Sequence, residues 1–241
     1  MLFDTFGTVV DWREGIAKGV SDFFRRYGLK GDPHAFADAW RGRYQDSMEP
    51  IRLGLRPFTR LDVLHAENLD AVLADWGIDT SKMDRADIEH LNRAWHRLDP
   101  WSDSVEGLRR LKRHTFIAPL SNGNIVLLAN MAKRASLPWD CILGAEVVQA
   151  YKPHRDSYLK TADVLGLSPE DCVMVAAHND DLFAAREAGL RTAFVLRALE
   201  HGPNQTTDLR AEHDWDFVAD NLITLSDLVF RGTDGQIPQN R

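Results

Sequence analysis

The sequence predicts an α/β fold in which a doubly wound parallel sheet carries an inserted, all-helical segment. Short apolar runs that end in polar residues occur at the N-terminus and again from residue 115 onward. Helical patterns separate the later runs, which is the arrangement of βαβ units in a parallel sheet. Between residues 12 and 98 no strand pattern occurs, so this stretch is expected to form helices only.

The first predicted strand is short and delivers an acidic residue into a turn. Only Met1-Leu2-Phe3 precede Asp4, which enters the turn Thr5-Phe6-Gly7-Thr8. Open α/β sheets bind ligands at the carboxyl ends of their strands, where a carboxylate can act as a covalent nucleophile. Asp4 is therefore a candidate nucleophile, and the alternative is that it only caps the next helix. Because strands usually have about 5–6 residues, we expect either a native start upstream of Met1 or a trimmed N-terminus.

Helical periodicity begins after Asp11 and extends to about residue 98. Apolar residues recur three or four positions apart, which places them on one face of each helix. Four helices are expected: one with the apolar face Ile16, Val20, Phe23, Phe24 and Tyr27, one around Phe36, Ala39, Trp40 and Tyr44, one over 61–76 after a Pro- and Gly-rich loop at 50–57, and one over about 85–97.

Strands and helices alternate from residue 101 onward, as in a parallel sheet covered on both faces. Apolar runs predict strands at 115–120, 141–145, 172–177 and 192–196. The expected helices contain Val105, Leu108 and Leu111, then Ile125, Leu128 and Met131, then residues 158–165 ended by Gly166, then residues 182–188 ended by Gly189.

Composition excludes several classes of function. The chain has 241 residues and a formal net charge of -7, which disfavours nucleic-acid binding because that relies on clustered Lys and Arg. No apolar run approaches the roughly 18 residues of a membrane span, and no signal leader is evident, so we expect no membrane association and a cytoplasmic location. Cys141 and Cys172 fall in predicted buried strands, where reduced thiols rather than a disulfide are expected.

Polar residues follow the later apolar runs. Ser121-Asn122-Gly123 follows the first run, and Tyr151-Lys152-Pro153 lies shortly after the second. His178-Asn179-Asp180-Asp181 follows the third. Together with Asp4, these residues form the candidate site at the carboxyl ends of the strands.

Five motifs occur in an order that resembles the haloacid dehalogenase (HAD) superfamily, and most of all its type II 2-haloacid dehalogenases. The motifs are Asp4 to Thr8 for the pattern D-x-[YF]-G-T, Trp40-Arg41, Ser121-Asn122-Gly123, Tyr151-Lys152-Pro153, and Tyr158 six residues after Lys152. This resemblance covers nearly the whole chain. It implies a doubly wound, Rossmannoid HAD-like core over 1–11 and 99–231, an inserted all-helical cap domain over 12–98, and a flexible tail over 232–241. It also implies a homodimer, for which the helix at 62–76 would supply the surface.

The resemblance implies a hydrolase that converts short 2-haloalkanoic acids to 2-hydroxy acids and halide through an ester on Asp4. Lys152 would lower the pKa of Asp4, Asp181 would pair with Lys152, and Thr8 would hold Asp4 through its hydroxyl. Ser121 and Asn122 would begin a helix, whose free N–H groups favour an anion. The expected substrate and halide contacts are Thr5, Phe6, Arg41, Ser121, Asn122 and Tyr158, with Arg43 as the alternative to Arg41 and with Trp12 and Phe58 as further apolar walls.

Two positions distinguish this chain from the superfamily's phosphatases. Phe6 stands where phosphatases carry an Asp that serves as general acid, and a departing halide needs no proton. Ala176-Ala177 stands where phosphatases carry a Gly-Asp pair that helps to hold magnesium, an ion that prefers oxygen ligands. We therefore expect no metal and no organic cofactor. A magnesium-dependent phosphatase or phosphonatase and a non-catalytic interaction protein are the alternatives.

One segment departs from the type II pattern. The family reads Ser-Ser-Asn where this chain has Ala176-Ala177-His178, and the later acidic residue is retained as Asp181. An unperturbed imidazole titrates near pH 6.5, so the hydrolytic water is expected to be activated by His178 as general base, by the Lys152–Asp181 pair, or by both. Asp11, Asp180 or Asp181 would orient His178. The alternative is that His178 only forms the hydrogen bonds of the Asn that it replaces.

Overall fold

Five short parallel strands form the central sheet in the computed structural model, which describes residues 1–231. Their order across the sheet is β4-β1-β5-β6-β7, and a separate two-stranded ribbon pairs β2 with β3. The strands are β1 Leu2–Phe3, β2 Val10–Asp11, β3 Asp99–Pro100, β4 Ala118–Pro119, β5 Val173–Ala176, β6 Arg191–Val195 and β7 Phe217–Ala219. The predicted α/β class with a parallel sheet is confirmed. The predicted flexible tail at 232–241 lies outside the described residues.

Eleven α-helices surround or extend from this sheet within residues 1–231. They are α1 Trp12–Tyr27, α2 Pro33–Gly42, α3 Tyr44–Arg52, α4 Leu61–Asp75, α5 Arg85–Asn92, α6 Ser104–Lys112, α7 Ile125–Ala135, α8 Ala145–Val148, α9 Arg155–Val164, α10 Asn179–Glu187 and α11 Leu222–Arg231. Within the same residues, no helix combines the length and the apolar character that crossing a membrane requires.

Residues 12–98, here called the helical segment, contain helices and no strand, as predicted. The segment begins directly after β2 and ends directly before β3, and these two strands pair antiparallel, with Val10 opposite Pro100 and Asp11 opposite Asp99. Both crossings of the chain therefore lie side by side. We propose that this ribbon marks the boundary between a core domain over 1–11 and 99–231 and a cap domain over 12–98.

The position of β1 in the sheet explains where the polar residues gather. β1 lies between β4 and β5, with Leu2 opposite both Ala118 and Met174. Although β1 has only two residues in the ladder, its pairing continues beyond them, since the N–H of Asp4 donates to the carbonyl of Val175 at 2.9 Å. The carboxyl ends of three neighbouring strands therefore bring together segments that are far apart in sequence.

The strand predicted at 141–145 does not form. This segment runs beside β4 with one isolated bridge, between Ser121 and Gly144, and its backbone hydrogen bonds occur only near its two ends. Gly144 explains the close approach, because a Cβ atom there would lie 2.1 Å from the carbonyl oxygen of Gly123. Cys141 is consequently half-buried in a bend rather than buried in a strand, whereas Cys172 is buried directly before β5.

Several predicted helix boundaries are wrong. The second predicted helix is broken at Arg43 into α2 and α3, and α3 continues through Pro50, where a loop was expected. The carbonyl of Pro50 closes that helix by accepting from the N–H groups of Leu55 and Arg56 at 2.7 and 3.0 Å. The fourth predicted helix ends as α5, and a tighter 3₁₀ turn covers Arg93–Arg97. The strand β7 and the helix α11 were not predicted.

Candidate active site

A cleft of about 910 Å³ lies between the carboxyl ends of the strands and the helices α2 and α3. Seven of the predicted site residues line it: Asp4, Phe6, Arg41, Asn122, Lys152, His178 and Asp181. Four others do not: Thr5, Thr8, Ser121 and Tyr158. The order of the strands thus brings most of the predicted site into one place.

Asp4 is buried, with 6% of its surface exposed, and both carboxylate oxygens are engaged. Its Oδ1 accepts from Lys152 Nζ at 2.9 Å, and its Oδ2 accepts from the hydroxyl of Thr8 at 2.7 Å. Nδ1 of His178 lies 3.3 Å from the same Oδ2. Burial by itself raises the pKa of Asp4, but Lys152, His178 and Thr8 outweigh it and hold the pKa well below its usual value. Asp4 is therefore ionised, as a nucleophile must be.

Lys152 bridges two carboxylates. Its Nζ lies 2.9 Å from Asp4 Oδ1 and 2.5 Å from Asp181 Oδ2. Burial lowers the pKa of Lys152, but Asp181 and Asp4 raise it above the ordinary value, so the ammonium persists. The hydroxyl of Tyr158 donates to Asp181 Oδ1 at 2.6 Å. Tyr158 therefore supports Asp181 from behind, and the prediction that it contacts the substrate is not supported by its position.

The residues do not fit a magnesium ion. Ligand atoms of Asp4, His178 and Asp181 lie within 4.8 Å of one another, which is close enough to share a cation. The ammonium of Lys152, however, already lies between the two carboxylates. Magnesium requires near-octahedral oxygen ligands, and Ala177 supplies none where a further carboxylate would be needed.

His178 forms a pair with Glu200, a residue that the sequence did not indicate. Nε2 of His178 lies 2.9 Å from Oε2 and 3.1 Å from Oε1 of Glu200, and Trp12 Nε1 donates to the same carboxylate at 2.9 Å. Burial lowers the pKa of His178, but Glu200 and Asp4 raise it well above its ordinary value. Burial raises the pKa of Glu200, and His178 lowers it below the usual value. With Asp4 ionised, His178 is thus an imidazolium between two carboxylates.

None of the three carboxylates that were expected to orient His178 does so. Asp11 caps α1, since its Oδ1 accepts from the N–H of Glu14 at 3.1 Å. Asp180 is exposed, and Asp181 pairs with Lys152. Glu200 comes from the loop after β6, and no spacing rule relates it to His178.

Gly7 makes room for Glu200. Its φ of +85° is a backbone conformation that favours glycine, and a Cβ atom there would lie 2.0 Å from Glu200 Oε1. The turn after Asp4 therefore requires glycine both for its backbone and for the approach of a second carboxylate.

Arg41, rather than Arg43, faces the cleft. Its guanidinium carbon lies 3.9 Å from the ring centre of Tyr44, 5.3 Å from that of Trp12 and 5.8 Å from that of Phe6. Its Nη1 is buried and has no hydrogen-bond partner among the described residues. Arg43, in contrast, is on the surface and pairs with Asp75.

Two further polar side chains without partners lie around Phe6, and neither was predicted. His65 is 2% exposed and stacks on Trp95, with ring centres 4.3 Å apart, and the Trp95 ring lies 5.8 Å from that of Phe6. Within residues 1–231, both ring nitrogens of His65 and Nε1 of Trp95 lack a hydrogen-bond partner. Burial and the nearby Arg41 lower the pKa of His65 to about 3, so its ring is neutral.

The loop after β4 presents one of its two predicted residues to the cleft. Asn122 lines the cleft, and its Oδ1 accepts from the N–H of Lys152 at 2.8 Å. Ser121 is buried, and its hydroxyl accepts from the N–H of Gly123 at 3.2 Å. The expectation that Ser121 and Asn122 begin a helix is wrong, because α7 begins only at Ile125.

Of the remaining predicted contacts, Thr8 and Trp12 have a place at the site, whereas Thr5 and Phe58 do not line the cleft. Thr8 also accepts from the N–H of Ala177 at 2.9 Å, which ties the nucleophile turn to β5. Trp12 lines the cleft as a wall, as expected. Thr5 is buried outside the lining, and Phe58 stacks on Tyr151 at 5.2 Å instead of reaching the cleft.

Comparisons with known proteins show the family to which the chain belongs. A family model described as haloacid dehalogenase-like hydrolase matches residues 1–189. The chain is 53% identical to the solved structure of a defluorinating L-2-haloacid dehalogenase, with a TM-score of 0.93 and coverage of 94% of this chain and 93% of that chain. It is 40% identical to a second L-2-haloacid dehalogenase structure, with a TM-score of 0.91 and coverage of 95% and 97%.

A sequence relative with an assigned activity is also similar to this chain. The (S)-2-haloacid dehalogenase of Xanthobacter autotrophicus is 27% identical over 202 residues, which cover 82% of this chain and 74% of the relative. The resemblance seen in the motifs is therefore confirmed by a match that spans most of the chain. The protein belongs to the haloacid dehalogenase-like hydrolases.

Proposed function

We propose that the protein hydrolyses the carbon–halogen bond of short 2-haloalkanoic acids and releases a 2-hydroxy acid and a halide ion. The observation that carries this proposal is an ionised carboxylate, Asp4, that shares one cleft with an arginine, Arg41, whose Nη1 has no partner within residues 1–231. A halide displacement requires a nucleophile and a cationic or N–H donor group that binds the departing halide. The proteins similar to this chain, named as 2-haloacid dehalogenases, support the same reaction.

In the first step, a carboxylate oxygen of Asp4 forms a bond to the 2-carbon of the substrate. The carbon–halogen bond breaks, and its electron pair leaves with the halide toward the guanidinium of Arg41. No proton is transferred, which suits Phe6 at the position of an acid. The amide nitrogen of Asn122 has no partner in the described part of the chain, so it is available to the substrate carboxylate.

In the second step, water attacks the carboxyl carbon of the Asp4 ester. Esterification removes the charge of Asp4, so the pKa of His178 falls and the imidazolium releases its proton to solvent. Nδ1 then accepts a proton from the attacking water while Glu200 holds Nε2. Hydrolysis of the ester yields one net proton. His178 holds this proton, because the re-formed Asp4 carboxylate raises the pKa of the imidazole again. The cycle thus returns to its starting charges.

We further propose that the substrates include 2-fluoro acids. Fluoride leaves carbon reluctantly and is stabilised by several N–H donors at once, because a small anion is strongly hydrogen-bonded. Arg41 lines the cleft with an unpartnered nitrogen. Trp95 and His65 are not among the lining residues, but they carry further unpartnered nitrogens next to Phe6, which does line the cleft. One of the similar structures is named as defluorinating.

Halide release from chloroacetate, 2-chloropropionate and fluoroacetate tests these proposals, with ion-selective electrodes as the readout. Activity is expected to survive excess chelator, whereas loss of activity with chelator would favour the magnesium-dependent phosphatase or phosphonatase. A protein that releases neither halide nor phosphate would favour the non-catalytic alternative. Replacement of His65 by Phe is expected to lower fluoride release several-fold more than chloride release, and equal losses would refute the fluoride proposal.

We also propose a cytoplasmic location, as expected from the sequence pattern, and a homodimer, as implied by the resemblance. The apolar residues of α4 offer little dimer surface, since Leu61, Leu64, Leu69, Val72 and Leu73 are buried within the chain. A dimer would therefore use another face. Light scattering coupled to size-exclusion chromatography measures the molar mass directly, and a value near 27.3 kDa would refute the dimer.

A further inference from the structure

A hydrogen-bonded clasp joins α4 to the loop that follows β4. The amide Nδ2 of Asn124 donates to Asp62 Oδ2 at 2.9 Å, and the N–H of Asp62 donates to Asn124 Oδ1 at 3.2 Å. Both ends of one side-chain amide are therefore held by one residue, although 62 positions separate the two along the chain. Asp62 is in the first turn of α4, and Asn124 is three residues past Ser121.

The other oxygen of Asp62 is engaged on the side of the helical segment. Nε2 of His96 lies 2.9 Å from Asp62 Oδ1, and the amide of Asn130 lies 3.0 Å from Nδ1 of the same ring. Since Asn130 Nδ2 is a donor, Nδ1 accepts, and the proton on Nε2 points to Asp62. Asn92 adds a donation to the Asp62 carbonyl at 3.1 Å. Because Oδ1 of Asp62 is taken by His96, Oδ2 is the oxygen that accepts from Asn124.

The loop that the clasp holds is the one that presents Asn122 to the cleft. Asn122 is two residues before Asn124, and its Oδ1 accepts from the N–H of Lys152 at 2.8 Å. The intervening Gly123 is confined, because a Cβ atom on it would lie 2.9 Å from the side chain of Leu128. A shift at Asn124 therefore moves Asn122.

Two neighbouring contacts reinforce the same junction. The hydroxyl of Tyr151 donates to the carbonyl of Thr59 at 2.6 Å, and Arg60 lies 2.6 Å from Glu146. Tyr151 directly precedes Lys152. The chain just before α4 is thus attached twice to the segment that leads to Lys152.

The helix α4 is also tied to the arginine on the opposite wall. Trp40 Nε1 donates to the carbonyl of His65 at 3.0 Å, which fixes α2 and its Arg41 against α4. One helix therefore contacts the wall that carries Arg41 and the loop that carries Asn122. Its two attachments set the distance between them.

We propose that Asp62 is a positioning residue that, through Asn124, sets the gap between Asn122 and Arg41 across the cleft. The proposal rests on the proposed function, since those two residues are its contacts for the substrate carboxylate and the halide. A substrate that is attacked at one carbon and held at both ends demands this spacing, and a misplacement of about 1 Å costs on the order of 100-fold in rate.

A charge exchange tests the clasp. In Asn124→Asp, two carboxylates face each other at the present 2.9 Å contact, so the loop should be pushed away. In the double variant Asp62→Asn with Asn124→Asp, residue 62 donates its amide to the new carboxylate and still accepts from His96. We expect kcat/KM for 2-chloropropionate to fall about tenfold or more in Asn124→Asp, mainly through KM, and to return to within about threefold of wild type in the double variant.

Two controls separate positioning from general stability. Asp70→Asn removes an exposed carboxylate from the same helix and should leave kcat/KM unchanged. Hydrogen exchange of the peptide that contains residues 121–124 should accelerate in Asn124→Asp and recover in the double variant. If Asn124→Asp does not fold, Asp62→Asn alone should show an intermediate rise in KM and in exchange.

The outcomes are distinct. A lowered melting temperature with unchanged KM and unchanged exchange would overturn the proposal, as would a folded double variant that recovers neither. Wild-type protein that releases no halide would overturn the proposed function instead, and the exchange measurement would still decide whether Asp62 holds the loop.

Discussion

The two walls of the cleft differ in how fully their polar atoms are used. On the sheet side, Asp4, Lys152 and Asp181 saturate one another with contacts of 2.5–2.9 Å. On the side of the helical segment, the half-buried Arg41 lines the cleft, and the buried His65 lies near the lining residue Phe6. Both carry nitrogens that lack partners in the described chain. Each such group costs about 1–3 kcal/mol when it stays unpaired. The polar groups of the sheet side are therefore paired with one another without a ligand, whereas the guanidinium of Arg41 keeps an N–H that an anion can accept.

Removal of the nucleophile should have the largest effect, since it abolishes the first chemical step and leaves Lys152 without one of its two carboxylate partners. In Asp4→Asn we expect kcat to fall by on the order of 10⁴-fold or more, as loss of a covalent nucleophile does in other hydrolases. Steady-state halide release measures this. Asp163→Asn, an exposed residue of α9, is the matched control and should retain full activity. Substantial turnover by Asp4→Asn would show that water attacks the substrate directly.

The second largest effect is expected for His178, the general base beside Asp4. In His178→Asn we expect the ester on Asp4 to form at nearly the normal rate, while its hydrolysis slows about 10²–10⁴-fold, which is the range for loss of a general base. Rapid-quench halide measurements should show one burst equivalent to the enzyme concentration, and mass spectrometry should find the ester on Asp4. Unchanged rates in both steps would mean that His178 only fills the place of an Asn.

On the opposite wall, the geometry of the donor should matter more than its charge. In Arg41→Lys we expect kcat/KM to fall about 10–100-fold, because an ammonium lacks the planar fork that a guanidinium presents among aromatic rings. Arg43→Lys is the matched control, since Arg43 pairs with Asp75 on the surface and should be replaceable without loss. Equal effects of the two substitutions would contradict the assignment of Arg41 to this wall.

The smallest effect concerns stability. The pKa of His178 is raised in the folded protein, so its contribution to stability is fully present below about pH 6.5 and is lost as pH rises through the raised pKa. Each pH unit of difference between the folded and unfolded pKa corresponds to about 1.4 kcal/mol. Urea unfolding of wild type should therefore show falling stability above pH 6.5. Glu200→Gln should flatten this dependence, and an unchanged slope would exclude Glu200 as its cause.

The saturated wall was largely predictable. Asp4 and Asp181 lie just after the strands β1 and β5, whose carboxyl ends meet at one edge of the parallel sheet. The strand predicted before Lys152 does not form, and the pairing of Lys152 with both carboxylates was expected only from the resemblance. The helices were less predictable at their ends. Pro50 continues a helix in which a loop was expected, and its carbonyl accepts from the N–H groups of Leu55 and Arg56 just beyond the helix end, so this boundary depends on how the chain turns after α3.

The amino-acid sequence by itself determined the α/β class and the helical insertion, because these depend on periodicity, and its motifs carried the resemblance that assigned the nucleophile to Asp4. Only the tertiary structure decided that Glu200 holds His178, that His65 and Trp95 surround Phe6, and that Asp62 clasps Asn124. These contacts join positions tens of residues apart through single side chains. Their formation depends on the shape of the packed molecule, which the repeat of apolar residues does not encode.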